Sequence, residues 1–533
     1  MNHRVLQIYR KVRSYSLHLS NIPNPHQQYL GNISEVNQTY NVVGNVNEFG
    51  LCIGESTFGG LELFAKQLGA AVDYGSLIYI TLQRAKTARE AISIMVALMD
   101  EYGYASEGES FSIADHLGEV WIMEVIGRGD TGRKGAVWVA RRVPHGYVTA
   151  HANQARITTF PRDDPNNCLY ADDVVDLAIH AGLFPVDADE NEFSFSDIYN
   201  PVSFTGARMS EARVWSIFSR IADEDGTFQN EFVDYAAGRN LTHRMPLWIK
   251  PYKKLQLVDL MGVMSNHYED SELDASLDVG AGFYKDPYRP RPLLWKHKDS
   301  MYHNERTVGT QQTGWNFIAQ MRSWMPRELA ALVWFAVDDS SMAPRVPVYG
   351  SSTSISTPYS GKGSQDGVVE PVLKFDIKKA FWVQNMVSNF VYPRFAEIYP
   401  HVRDKIDQIQ EKYLGETALT DEKALELYNS NGPGAAIAFV TKYGIGAGEE
   451  LHALWFDFYG YLFARFRDFF DIVPNSDNPG CGCEVKEPGF TDEWKQRIVD
   501  ETGSHYEVKS GSIISMPKSV NLRASQTSEK KMQ

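Results

Sequence analysis

Two apolar runs, Ser110–Asp115 and Glu119–Ile126, are separated only by His116-Leu117-Gly118. So short a connection turns the chain straight back, and the pair is read as an antiparallel hairpin. Upstream, Tyr40–Val46 and Leu51–Gly54 flank the turn signal Asn47-Glu48-Phe49-Gly50; downstream, Ala136–Val143 and Gly146–Ala152 flank Pro144-His145. Thr87–Tyr102 differs: Ala91, Ile92, Met95, Val96 and Met99 recur at helical spacing, with Arg89 and Glu90 in the first turn. Further helices are expected at Tyr170–Gly182 and Met209–Ala222. A strand series with helices inserted predicts an α+β chain whose helices are layered on antiparallel sheets.

The rest of the 533 residues divides by pattern. Residues 223–310 hold Asp, Pro, Tyr and Lys without sustained periodicity and are read as long loops with short elements. Asp339–Gly367, dense in Ser, Gly and Pro, reads as a loop that crosses the surface or rims a cleft. From Phe375 the pattern is helical, over Phe375–Tyr399, His401–Leu414, Thr420–Ser430 and Gly448–Ile472. The aromatic stripe Trp455, Phe458, Tyr459, Phe463 and Phe466 is a packing face. Beyond Pro474 the composition is polar, and the last ten residues are expected to be disordered. The expected division is 1–374, 375–475 packed on the same domain, and a partly disordered tail, 476–533.

Several function classes drop out. Lys plus Arg total 52 against 67 Asp plus Glu, a net charge of −15 without a basic stripe, so nucleic acid is not an expected partner. No apolar run approaches the ~18–20 residues of a membrane span. Cys52 and Cys168 read as small buried hydrophobes, and Cys481 with Cys483 lacks the second ligand pair that zinc needs. Neither a metal nor a cofactor is expected. Residues 1–34 carry Arg4, Arg10, Lys11 and Arg13 and no acid, but neither the Ser-rich run of a transit peptide nor the apolar core of a secretory signal. Compartment and oligomeric state stay open.

Phosphate-loop, His-Glu-x-x-His and Gly-x-Ser-x-Gly signatures are absent. Gly444-Ile445-Gly446-Ala447-Gly448 precedes a helical pattern, but Glu449 stands where a dinucleotide fingerprint needs its third Gly. Two segments stand out. Asn47–Thr57 runs from a turn through an apolar strand to the polar Glu55, Ser56 and Thr57; these either cap the strand or sit at the lip of a sheet, where backbone N–H groups face a substrate. In Thr149–Ile157, Asn153 ends a strand and either closes a turn or directs its amide into a site, as an oxyanion hole requires.

In this order the segments resemble the cysteine dipeptidases of the N-terminal-nucleophile hydrolase superfamily, whose relatives include the secernins and, further off, penicillin V acylase and bile salt hydrolase. The matching features are Asn47-Glu48-x-Gly50-Leu51-x-Ile53-Gly54-Glu55-Ser56-Thr57, then Phe111–Asp115 leading into Gly118–Glu124, then Trp138–Val148 running on to His151-Ala152-Asn153-Gln154-Ala155-Arg156-Ile157. Gln320-Met321-Arg322 with Pro326, and Trp334 with Pro347-Val348-Tyr349, follow. The resemblance implies a four-layer αββα sandwich with a C-terminal helical region, and hydrolysis of small peptides by an N-terminal Cys whose own α-amine shuttles the proton. It places Asn153 as the oxyanion-hole amide, Thr57 as its backbone partner and Arg213 as support for the nucleophile, with Arg208 as the competing candidate, while Glu55 and Ser56 are expected beside the substrate from their place at the lip of the sheet.

One feature departs from the family. No Cys precedes Cys52, and Cys52 lies inside the second strand, where cleavage would discard the strand before it. The expectation is therefore that the nucleophile is absent from residues 1–533, which as written would not hydrolyse dipeptides. The alternatives are a catalytically inactive relative that serves as a binding or regulatory module, and an N-acyl amide hydrolase using the same residues.

Overall fold

The computed structural model describes residues 5–11, 27–65, 67–361, 374–478, 480 and 482–509. The hairpins of the sequence build a seven-stranded antiparallel sheet from β1 (Val42–Val43), β2 (Val46–Asn47), β3 (Leu51–Phe58), β4 (Gly108–Asp115), β5 (Val120–Gly127), β6 (Ala136–Arg142) and β7 (Cys168–Tyr170). Its order is β7-β6-β5-β4-β3-β2-β1, so most neighbours in sequence are neighbours in space. Leu51 pairs with Asp115 and Phe58 with Gly108 across β3 and β4.

The two-residue period of the strands sorts their side chains. Leu51, Ile53, Phe111, Ile113, Trp121 and Met123 share the face covered by α1 (Tyr74–Leu82) and α2 (Ala88–Tyr102). The start of α2 is capped: Thr87 Oγ1 accepts the Glu90 N–H at 3.2 Å and the Glu90 carboxylate accepts the Lys86 N–H at 2.8 Å. Such a cap contributes ~1 kcal/mol. On the opposite face Val46 and Cys52 pack with Ala331 and Val333 of a second antiparallel sheet, formed by β8 (Trp315–Met321), β9 (Ala331–Val337) and β10 (Val346–Tyr349). Leu332, Trp334, Val346 and Tyr349 of that sheet are buried with Val387, Val402, Leu451 and Trp455 from α4 (Ala380–Val391), α5 (Phe395–Asn431) and α6 (Pro433–Phe466). The chain is α+β.

Several boundaries differ from the sequence reading, each for a tertiary reason. Strand β3 continues to Phe58 rather than stopping at Gly54, because Gly108 lies opposite Phe58 and leaves room for its ring; a Cβ there would stand 2.0 Å from Phe58. Glu55, Ser56 and Thr57 are thus inside the strand, not beyond its end. The expected strand Gly146–Ala152 shrinks to Val148–Thr149, paired with Trp248–Ile249. A helix, Thr227–Ala236, occupies part of the expected loop region. Helix α6 begins at Pro433, and Gly444 to Gly448 lie within it. Gly448 and Gly444 serve close approach, since a Cβ on Gly448 would meet Ser356 Oγ at 2.1 Å and one on Gly444 the Pro347 carbonyl at 3.3 Å, whereas Gly446 faces open space. Past Pro474 the chain still forms a hairpin, Asp471–Pro474 with Cys483–Lys486, and a helix, Asp492–Thr502 capped by Thr491. Cys481 and the last ten residues lie outside the described residues, as does the end of the Asp339–Gly367 run.

Candidate active site

The site forms where β3 outruns its neighbour β2. Ile53 directs both its N–H and its C=O toward Asn45, on the β2 side. An extended residue points both groups to one edge, and the pattern repeats every second residue. Thr57 therefore presents its N–H and C=O on the same edge, four residues on, where β2 no longer pairs. Asn153 takes that position: its Nδ2 donates to the Thr57 carbonyl. Asn153 Oδ1 accepts from Arg213 Nη2 at 2.8 Å and from Arg306 Nη1 at 2.9 Å. Two guanidiniums on one atom identify it as the carbonyl oxygen, so the nitrogen is the atom turned to β3.

A buried scaffold holds the Asn153 segment. Glu124 of β5 accepts the backbone N–H groups of Arg156 at 2.6 Å and Ile157 at 3.0 Å. Burial pushes its carboxyl up to about 7 while those N–H donors oppose the shift. Arg156 pairs with Glu211 at 3.1 Å and donates to the carbonyls of Ala150 and Pro246, both at 2.9 Å. Tyr235 closes this group through Glu211 at 3.1 Å.

Arg213 sits in the first turn of α3 (Ala212–Ala222), just after a π-helical turn over Ala207–Glu211. Its Nε donates to the Met209 carbonyl at 3.0 Å. Burial, and then the neighbouring Arg306 charge, push the guanidinium down to about 9, which leaves it cationic at neutral pH. The competing candidate, Arg208, is ion-paired with Glu305 instead. Arg306 was missed in the sequence, where it lies 153 residues from Asn153 in a region without periodicity. Tyr268 steadies its backbone by donating to the Arg306 carbonyl at 2.5 Å.

The remaining expected residues are spread. Thr57 Oγ1 donates to Glu109 at 2.9 Å, so its side chain is committed to β4. Burial, and then the Glu55 carboxylate, hold the Glu109 carboxyl well above the usual carboxylate range. Glu55 is exposed and shares the Thr57 face, whereas Ser56 points to the opposite face, across from Ser110. The hydrogen bonds of Asn153 go to Thr57, Arg213 and Arg306, not to Glu55 or Ser56. His151, also unforeseen, meets Ser112 Oγ through Nε2 at 2.6 Å, and burial pushes it down to about 4, so its ring is neutral. Cys52 and Cys168 are buried, and burial pushes their thiols up to about 12 and about 11. Among the described residues no group of His, Cys, Asp and Glu side chains is placed to hold a metal ion, and no helix is long and apolar enough to cross a membrane.

Comparison with known proteins gives the site its context. Dipeptidase A of Lactobacillus helveticus is 24% identical over 332 residues, covering 62% of this chain and 59% of that protein. A probable dipeptidase of Latilactobacillus sakei is 23% identical over 366 residues, 69% of this chain and 66% of the relative. A probable dipeptidase A of Streptococcus pyogenes is 25% identical over 276 residues, 51% and 50% of the two chains. The chain thus spans between half and two-thirds of the length of these curated relatives. The model of peptidase family C69 matches residues 11–408, which include every residue of the Asn153 site, and the chain belongs to that family.

Proposed function

We propose that the protein is a cysteine-type hydrolase of small peptides, dipeptides first, with Asn153 and Thr57 as its oxyanion site and Arg213 as electrostatic support for the nucleophile. The observation that carries this reading is the clamped Asn153 amide, fixed through its oxygen by two guanidiniums and turned by its nitrogen onto the open edge of β3. An amide nitrogen carries two protons. One goes to Thr57 O; the other, with the Thr57 N–H on the same edge, is available to a developing oxyanion.

In the reaction an N-terminal Cys thiolate attacks the scissile carbonyl, its α-amine having taken the thiol proton. The carbonyl π pair moves onto oxygen and is held by the two donors. The C–N bond then breaks, the α-ammonium returns its proton to the leaving amine, and water hydrolyses the thioester. Cys52 and Cys168 do not suit that role, since at neutral pH both stay protonated behind a wall of apolar side chains. The names of the relatives agree with peptide substrates.

The finer fold reading is an αββα sandwich. Its support is the succession of contacts from α1 and α2 through the seven-stranded sheet and the three-stranded sheet to α4–α6. The shared cluster of β9, β10 and α4–α6 favours taking 375–475 as an extension of the domain at 1–374, with 476–533 as a tail.

The test is hydrolysis of a dipeptide panel and an N-acyl amide panel by a form of the protein that carries a processed N-terminal Cys. Dipeptide turnover is expected, with kcat lowered roughly 10²–10³-fold in Asn153→Ala, the usual cost of one oxyanion donor. Cleavage of N-acyl amides alone would make it an acylase, and no cleavage of either panel would leave a binding or regulatory module. Turnover abolished by Cys52→Ala would reject the N-terminal nucleophile.

A further inference from the structure

An arginine side chain is almost never fully buried unless a carboxylate is buried with it. Arg128, Arg156, Arg289, Arg322 and Arg394 follow that rule: all are buried, and each holds a carboxylate oxygen within 3.1 Å. Arg345, immediately before β10, does not. It is 2% exposed, and among the described residues no carboxylate pairs with it. Its hydrogen bonds are made by the backbone alone: Gln410 Nε2 donates to its carbonyl at 2.9 Å, and its N–H donates to Gln410 Oε1 at 3.4 Å. The Nε is sealed from solvent without a partner. Neither Nη makes a hydrogen bond among the described residues, and the little accessible surface that Arg345 keeps includes these two nitrogens, so the guanidinium ends on a small open space.

The charge that acts on Arg345 is a second cation, Arg403 of α5. Gln410 and Arg403 are seven residues apart, two helical turns or about 10 Å at ~1.5 Å per residue, and so share one face of α5. With its backbone held at Gln410, Arg345 extends its side chain along that face toward Arg403. The carboxylate nearest at hand is already engaged: Asp407 accepts from Arg403 Nε at 3.1 Å and from its Nη2, with its own side chain 60% exposed. Two guanidiniums against one carboxylate leave one positive charge over. Arg345 does not lose that charge by shedding its proton. Burial first, and then the Arg403 charge, push it down only to about 10, so it is cationic at neutral pH. An unpaired charge at such depth is heavily penalised unless an ion of opposite sign accompanies it.

A divalent oxyanion would overshoot the single positive charge, and a substrate-sized carboxylate would need a wider opening than a 2% exposed side chain leaves. We infer that Arg345 and Arg403 together bind a small monovalent inorganic anion of the chloride class, which ties the start of β10 to α5. This goes beyond the reading of the Asn153 site and does not depend on it.

Chlorine NMR on the full chain tests the assignment, with sodium chloride as the probe and sodium gluconate, whose anion is too large for the site, holding the ionic strength constant. Wild type should broaden the chloride line saturably, with Kd on the order of 10 mM, and bromide should reverse the broadening. Arg345→Met should abolish it, and Arg403→Met, at a partly exposed position, should raise Kd roughly fivefold or more. Exchanging gluconate for chloride should raise the Tm of wild type by roughly 1–3 °C and leave that of Arg345→Met where it was. Should Arg345→Met fail to fold, Arg403→Met and the chloride dependence of the wild-type Tm decide the matter. The inference is overturned if wild type causes no saturable broadening, or if the broadening survives Arg345→Met unchanged, which would mean an adventitious ion only. It is equally overturned if Arg403→Met leaves Kd unaltered, if chloride raises the Tm of wild type and Arg345→Met alike or raises neither, or if sulfate displaces chloride more strongly than bromide does, which would make the site one for a divalent oxyanion.

Discussion

Replacing Asn153 with Ala would remove three hydrogen bonds at once: the donation to Thr57 O and the acceptance from Arg213 and Arg306. The carbonyl of Thr57 loses a donor at an unpaired strand edge, and among the described residues the Arg213 guanidinium keeps the Met209 carbonyl as its hydrogen-bond partner. With hydrogen bonds to charged groups worth ~1.5–3 kcal/mol and a neutral one ~1, and with some relaxation of the freed groups, the expected loss is about 2–4 kcal/mol. Urea unfolding of wild type, Asn153→Ala, Arg213→Met and the double variant measures it, and the cycle should return a coupling of roughly 1–2 kcal/mol. Asn153→Asp separates stability from chemistry. It keeps the oxygen that both guanidiniums use, now charged, but has no donor for Thr57 or for an oxyanion. Its stability should exceed that of Asn153→Ala, while its effect on turnover should be as severe. An Asn153→Ala protein within ~0.5 kcal/mol of wild type, or a cycle additive within that margin, would show that the amide is not clamped as described.

Three further outcomes follow from buried groups. His151 has a folded pKa near 4 against ~6.5 unfolded, so the unfolded chain takes up a proton first as pH falls; its contribution to stability should drop by ~1.4 kcal/mol per unit between about pH 6.5 and 4, and His151→Asn should flatten that part of the curve in urea titrations. Iodoacetamide at pH 8 should leave Cys52 and Cys168 unmodified in the native protein and alkylate both in urea, while the exposed Cys483 reacts in either state, as peptide mass mapping would show. Glu211→Gln should destabilise by ~3–5 kcal/mol, because it strands the Arg156 guanidinium in a pair whose side chains are 2% and 1% exposed; Arg156→Met with Glu211→Leu should cost clearly less. Thermal melts of the single and double variants check this.

What the sequence determined by itself is local. The alternation on either side of His116-Leu117-Gly118 and the apolar spacing after Thr87 specify a hairpin and a capped helix with few alternatives, and the structure carries both, as β4–β5 and α2. The family resemblance pointed to Thr57 and Asn153, which the fold joins by a hydrogen bond, although Asn153 lies beyond the short strand Val148–Thr149. Tertiary structure decided whatever depends on what lies opposite. Strand β3 runs on through three polar residues because Gly108 admits the Phe58 ring, and Gly448 within α6 leaves room for Ser356, which presses against it. Arg306 joins the site from 153 residues away, and Glu124 orders the Asn153 segment from a strand interior where the pattern shows only another buried position. Periodicity records which face of an element is dry. Which buried donor meets which acceptor is set by side chains brought together from distant parts of the chain, and spacing along one segment carries no record of that.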